Sequence, residues 1–155
     1  MQSDTLVLQT VQRAIAAVGL DAIIIGNVAA ALHGAPVTTL DIDYFIRDTR
    51  LNDEKLKRLA ERLGVHISRP FEAASMVRRA IGLEVELDFV VSLSAGMKFE
   101  SVKSRASAID VGGVVVIAAS LEDVIASKRA AGRPKDLAVL PILEATLEVR
   151  NKMFR

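Results

Sequence analysis

Residues 22–25 read Ala-Ile-Ile-Ile and run straight into Gly26. Four apolar residues with no polar alternation predict a short strand covered on both faces. Residues 114–119, VVVIAA, make a second uninterrupted run. Both runs fall far below the ~20 residues that a membrane-spanning helix needs, so no membrane partner is expected. The opening residues, MQSDTLVLQTVQRA, lack the basic start and apolar stretch of a secretory signal, so the expected location is cytoplasmic.

The other elements follow from periodicity and punctuation. Leu8, Val11, Ile15 and Val18 keep helical spacing; Asp4 is expected to cap that helix and Gly19 to stop it. VAAALHG predicts a short helix ending at Gly34, and residues 40–46, LDIDYFI, a strand. Leu56, Leu59 and Leu63 stripe the next helix, closed by Gly64, and 65–68 forms a short strand. Residues 76–81 and 83–91 predict a hairpin turned at Gly82, with Leu83, Val85, Leu87 and Phe89 on one face and Glu84, Glu86 and Asp88 on the other. SAIDV-GG-VVVIA predicts a second hairpin, its two glycines supplying the positive φ angles of a tight turn. Ser120 opens a helix with Asp123 placed for a capping-box variant, and Gly132 closes it. Pro134 stands at a first helical position. The last helix carries Leu137, Leu140, Leu143 and Leu147, and Pro141 is expected to kink or split it.

This order describes one mixed α/β (α+β) domain over the 155 residues, 1–155. A 51% hydrophobic and 25% charged composition excludes a disordered chain. With no cysteine there is neither a disulfide framework nor a thiolate zinc site. Twenty Lys and Arg against 19 Asp and Glu leave a net charge of +1, which argues against a dedicated nucleic-acid coat. Aromatics are 4% of the chain, so stacking platforms for bases are scarce. A nucleotide or other small-molecule partner fits better.

Asp41-Ile42-Asp43 is the sharpest local feature. Period two puts both aspartates on one strand face, about 7 Å apart, where they repel and lose hydration. A divalent cation removes that penalty, and magnesium suits sites with few carboxylates and phosphate oxygens. Taken alone, the triplet is better read as two solvated acids on a polar strand face. Upstream, the break at Gly26-Asn27 before a helix start offers backbone N–H groups to an anion. Downstream, Asp88 lies on the polar face of its strand, as a third carboxylate or as an edge acid like Glu84 and Glu86.

IIIGNVAAALHGAPVTTLDIDYFI, residues 23–46, resembles the signature of the nucleotidyltransferase superfamily with the DNA polymerase β-like fold. Within it the likeness is to small bacterial AbiEii-like and minimal nucleotidyltransferase proteins. LDFV, with Asp88, resembles the strand that carries the family's third aspartate. LEDVIASKRAAGRPKDLAVLPILEA resembles a further motif, a helix lysine followed by Arg-x-Lys-Asp. The resemblance implies a small mixed β-sheet with helices mostly on one side. It implies magnesium, with manganese possible, on Asp41, Asp43 and Asp88, which are also the catalytic residues. Gly26, Asn27, Thr39, Lys128, Arg133 and Asp136 would bind the nucleotide, with Asp136 pairing to Lys128 or Arg133. The implied reaction passes a nucleoside monophosphate from a nucleoside triphosphate to a hydroxyl of an RNA, protein or small molecule. A toxin-like role with an antitoxin-like partner belongs to the same resemblance.

Two positions depart from the family pattern. Asn27 stands where it has Gly or Ser. Val37 stands where it has arginine, which leaves either a reduced triphosphate affinity or a substitute cation, with Arg47 and Lys128 as the candidates and Val37 free to make an apolar contact. The alternative function is a catalytically weak nucleotide- or partner-binding module of the same fold. His33 and His66 read as packed or capping residues, and Arg78-Arg79 as a solvated hairpin edge, with contact to an acceptor RNA as the alternative.

Overall fold

The computed structural model describes residues 2–39, 41–68 and 76–154. The elements in chain order are α1 (Gln2–Val18), β1 (Ile23–Ile25), α2 (Gly26–Leu32), β2 (Asp41–Phe45), α3 (Arg50–Leu63), β3 (His66–Ser68), β4 (Val77–Ile81), β5 (Glu86–Val90), a 3-10 turn (Ser94–Gly96), α4 (Phe99–Arg105), β6 (Ser107–Val111), β7 (Val114–Ala118), α5 (Leu121–Ala131) and α6 (Pro134–Met153). The strands form one mixed sheet in the order β3-β4-β5-β2-β1-β7-β6. β1 pairs in parallel with β7, and β2 with β5; the other ladders are antiparallel. The mixed α/β class expected from the sequence is the one observed. Among the described residues no helix is long and apolar enough to cross a membrane.

The apolar strand at 22–25 sits in the middle of the sheet, between β2 and β7. Ile23 and Ile24 are fully buried, as a run without alternation requires. The Gly112-Gly113 turn has φ of 60° and 90°, and Asp110 Oδ1 accepts from the Gly113 N–H at 2.7 Å. Positive φ at both central residues matches the turn's twist to that of β6 and β7. α1 lays Leu8, Val11 and Ile15 onto the core. Tyr44 on β2 is fully buried, stacks on Phe89 at 5.5 Å and donates its hydroxyl to Gln12 Oε1 at 3.0 Å. That bond satisfies a polar group that burial would otherwise penalise by ~1–3 kcal/mol. Gly64 and Gly132 close α3 and α5 in the left-handed conformation.

Several local expectations need correction. α1 begins before Asp4, so Asp4 favours the helix dipole from the first turn instead of capping it. The second hairpin arm is the shorter strand 86–90, and residues 82–85 form its loop. Leu40, the expected start of β2, lies outside the described residues. Pro141 lies within a continuous α6 and does not split it. Leu137 is 49% exposed, so the buried stripe of α6 begins at Leu140. α4 had no counterpart in the sequence reading, although Phe99 and Val102, both buried, keep i,i+3 spacing and its acid and bases follow the dipole. Asp123 does not complete a capping box. Ser120 Oγ accepts from its N–H at 3.1 Å, but Arg105 Nε holds its carboxylate at 2.9 and 3.1 Å.

Candidate active site

Register decides which side chains meet. Across β2 and β5, Asp43 faces Asp88 and Asp41 faces Glu86. Ile25 on β1 faces Asp43, and Arg79 on β4 faces Asp88. Directly paired residues project from the same sheet face. Four carboxylates therefore share one face in two adjacent rows, with Arg79 at the end of one. They line a cavity of about 500 Å³, walled on the far side by α2, α5 and the start of α6.

Such crowding raises proton affinity. Burial, then the charges of Asp88, Asp41 and Glu86, push Asp43 up to about 6, against the pull of Lys128. Glu86 is also shifted upward, by burial first, with Asp41 and Asp88 opposing its charge and Arg79 favouring it. Lys128 on α5 has a side chain 13% exposed and lies 3.7 Å from Asp136 Oδ1. Burial lowers its proton affinity, while Asp136 and Asp43 support its charge. Asp136 is buried at the start of α6 and accepts from Arg133 at 2.6 and 3.3 Å. Burial would raise it, but the hydrogen bonds and charge of Arg133, with Lys128, hold it below its ordinary value. Asp136 thus pairs with both cations, whereas the resemblance left one or the other.

The glycine turn opens onto these acids. Gly26 ends β1 at φ +67°, and a Cβ there would stand 3.3 Å from Asp43 Oδ2. Asn27 lines the cavity beside it, and its Oδ1 is buried with no hydrogen-bond partner among the described residues. Thr39 also lines the cavity, but its hydroxyl is engaged with the backbone of Asp41, accepting from the N–H at 3.0 Å. It fixes the entry of β2 and so the direction of Asp41. Val37 packs against the hydrophobic core. Val37→Arg is therefore expected to destabilise the protein by ~1–3 kcal/mol, with no gain in triphosphate affinity. Chemical denaturation and calorimetric titration with a non-hydrolysable triphosphate check both halves.

The hairpin arginines depart from the solvated edge expected of them. The Arg78 side chain is 6% exposed and lies 3.9 Å from both Asp48 and Asp53. Arg79 forks onto Asp88, Nε to Oδ1 at 2.9 Å and Nη2 to Oδ2 at 3.1 Å. Sequence reasoning missed Arg79 and Glu86 as site residues. The signal was their cross-strand register to Asp88 and Asp41, which needs the β2–β5 pairing to be known. His33 is tied into the fold as expected: Nε2 meets Ala119 O at 2.8 Å and Nδ1 meets Arg150 Nη1 at 3.3 Å.

Among the described residues no three Asp, Glu, His or Cys side chains stand together as a finished metal cage. The donor set nonetheless fits a hard divalent cation. Its groups are carboxylates, and Asp43 sits among like charges that an ion would relieve. Asp88 has both oxygens engaged by Arg79, so its participation requires that fork to open.

Residues 5–153 match the model of the family described as "Nucleotidyl transferase of unknown function (DUF2204)", and the chain belongs to that family. It is a nucleotidyl transferase with the nucleotidyltransferase fold. No curated protein matches the chain at the sequence level. Among solved structures, the antibiotic-resistance factor ANT(2″)-Ia is similar in solution, with TM-score 0.69 and 18% identity over 99% of this chain and 92% of that one. The same factor in complex with adenylyl-2″-tobramycin gives TM-score 0.70 and 16% identity over 96% and 92%. A putative nucleotidyltransferase from Thermotoga maritima gives 0.66 and 16% over 91% and 92%. At these identities the likeness carries the fold. The narrower AbiEii-like likeness is not among these findings.

Proposed function

We propose that the cavity transfers a nucleoside monophosphate from a nucleoside triphosphate to a hydroxyl acceptor, with magnesium, or manganese, as the metal. The observation that carries this reading is the bare backbone turn at Gly26 beside Asp43, which itself faces Asp88 across the β2–β5 ladder. Asp41 and Asp43 would hold the metal, which supplies positive charge to the phosphate oxygens as negative charge builds there. Gly26 would admit the phosphates to the backbone beside Asp43. Lys128, with Arg133 held near it through Asp136, would neutralise phosphate from the opposite wall. Asp88, once free of Arg79, would help hold the catalytic metal and activate the attacking hydroxyl. Pyrophosphate leaves in line.

ANT(2″)-Ia, whose fold is similar, is described with an adenylylated aminoglycoside, so small polyhydroxylated amines belong beside RNA and protein among the acceptors to test. The acid-rich cavity favours a cationic acceptor over a polyanion. The toxin-like role and its antitoxin-like partner rest on the resemblance alone and form no part of this proposal. One observation supports the weaker alternative of a binding module: Asp88 is fully engaged by Arg79.

Labelled nucleoside triphosphates, Mg²⁺ or Mn²⁺ and a panel of acceptors separate the two readings. Transfer of label, lost on chelation of the metal, is the expected result. Tight binding without transfer would favour the module. Lys128→Ala is expected to weaken triphosphate binding by about ten- to a hundredfold, the worth of one charge-assisted contact. Unchanged affinity in the folded variant would remove Lys128 from the site.

A further inference from the structure

Arg79 lines the cavity, and the proposed chemistry gives it no task. Its guanidinium makes a two-pronged contact with Asp88, at 2.9 and 3.1 Å. The same Nη2 lies 2.6 Å from Glu86 Oε1. Both acids stand on β5, two residues apart, and Arg79 stands on β4 directly across from Asp88.

Two physical consequences follow. A divalent ion on the oxygens of Asp88, whose side chain is 12% exposed, would meet the positive charge of Arg79 a few ångströms away, damped but not removed by solvent at the 41% exposed guanidinium side chain. Yet freeing Asp88 does not send the guanidinium into open solvent, because a small pivot about the existing Nη2–Glu86 contact keeps one ion pair intact. A triphosphate also changes the balance, since its negative charge offsets the repulsion that a bare ion meets.

We propose that Arg79 is a positioning residue that moves between two carboxylates. On Asp88 it reserves the third aspartate of the empty site; resting on Glu86 alone, it yields Asp88 to an ion that arrives with the nucleotide. Metal alone then binds weakly, and metal with nucleotide binds well. The inference rests on reading the cavity as a metal–nucleotide site.

Binding of Mn²⁺ alone, followed by the loss of its free-ion electron paramagnetic resonance signal, tests this on the full chain. Arg79→Met keeps the aliphatic stem and removes the charge. It is expected to tighten Mn²⁺ binding by about tenfold or more without nucleotide, the advantage shrinking when a non-hydrolysable triphosphate is added. Glu86→Gln is expected to weaken Mn²⁺ binding, and most of that loss should vanish in the double variant, because Glu86 acts through Arg79. Unchanged or weaker Mn²⁺ binding in a folded Arg79→Met protein overturns the proposal. If that variant does not fold, Arg79→Lys, which keeps charge but loses the fork, is expected to tighten Mn²⁺ binding about threefold, and no change overturns it. Asp43→Asn separates the two readings. It should abolish Mn²⁺ binding in every background, and binding indifferent to it defeats the metal-site reading itself.

Discussion

Asp43→Asn is expected to make the metal-free protein more stable and to abolish transfer. Asp43 titrates at about 6 in the folded chain instead of 3.8, because burial and three neighbouring carboxylates disfavour its charge. A folded-state value above the unfolded one means that the fold prefers the protonated acid. Stability from this group is thus complete below pH ~4, declines as pH rises toward ~6, and stays low above it. A shift of about two units corresponds to on the order of 3 kcal/mol, and relaxation of a half-buried site leaves about 1–3. Asparagine keeps the shape without the charge. Urea denaturation at pH 7.5 should show the variant gaining that amount, and at pH 4 the gain should disappear. Wild-type metal binding should weaken as pH falls through about 6, because the proton competes for the same oxygens. Transfer should drop by ~1,000-fold or more, as when a group that fixes charge in the transition state is lost. Equal stability at pH 7.5 together with retained transfer would refute this account of the site.

Gly26→Ala is expected to lose nucleotide binding beyond what backbone strain explains. At φ +67° any side chain costs ~1–2 kcal/mol of folding free energy. The added Cβ would also stand 3.3 Å from Asp43 Oδ2, so the carboxylate must shift and the backbone loses its bare approach. Gly19 supplies a matched control, with φ +68° and nothing within 4 Å of a built Cβ. Gly19→Ala should show a comparable loss in thermal stability with nucleotide affinity intact. Gly26→Ala should lose affinity by about a hundredfold or more, and Gly26→Val should add a larger stability loss because a branched side chain tolerates this conformation least. Calorimetric titration of both alanine variants decides the matter. Parallel effects in the two would reduce Gly26 to a turn residue.

Local physics made much of the molecule legible before any contact was known. Apolar runs and glycine stops placed the strands. The Gly112-Gly113 pair dictated its hairpin, and the Ser120 cap and Gly132 stop bounded α5 to the residue. Period two put Asp41 and Asp43 on one face. α4 escaped because its seven residues show only two buried positions, too few for a pattern. Leu137 misled because i,i+3 spacing names a stripe without saying which part of it finds a partner.

Asp88 illustrates the boundary between chain and fold. Its alternation with Leu87 and Phe89 is a property of the sequence and holds in any strand pairing. That it faces Asp43 instead of an edge like Glu84 follows from the parallel β2–β5 register, which joins segments more than forty residues apart through a ladder that no local signal encodes. Arg79 reaches Asp88 only because β4 pairs with β5, and Lys128 feels the charge of Asp43 only because α5 packs against α2. The sequence by itself determined most of the elements and their order, since propensity, periodicity and turn geometry act over a few residues. The tertiary structure alone decided which carboxylates share a cavity, which cation holds Asp88 and why Asp43 binds a proton more tightly than an ordinary carboxylate, because burial and Coulomb interactions depend on distances that long-range pairing sets.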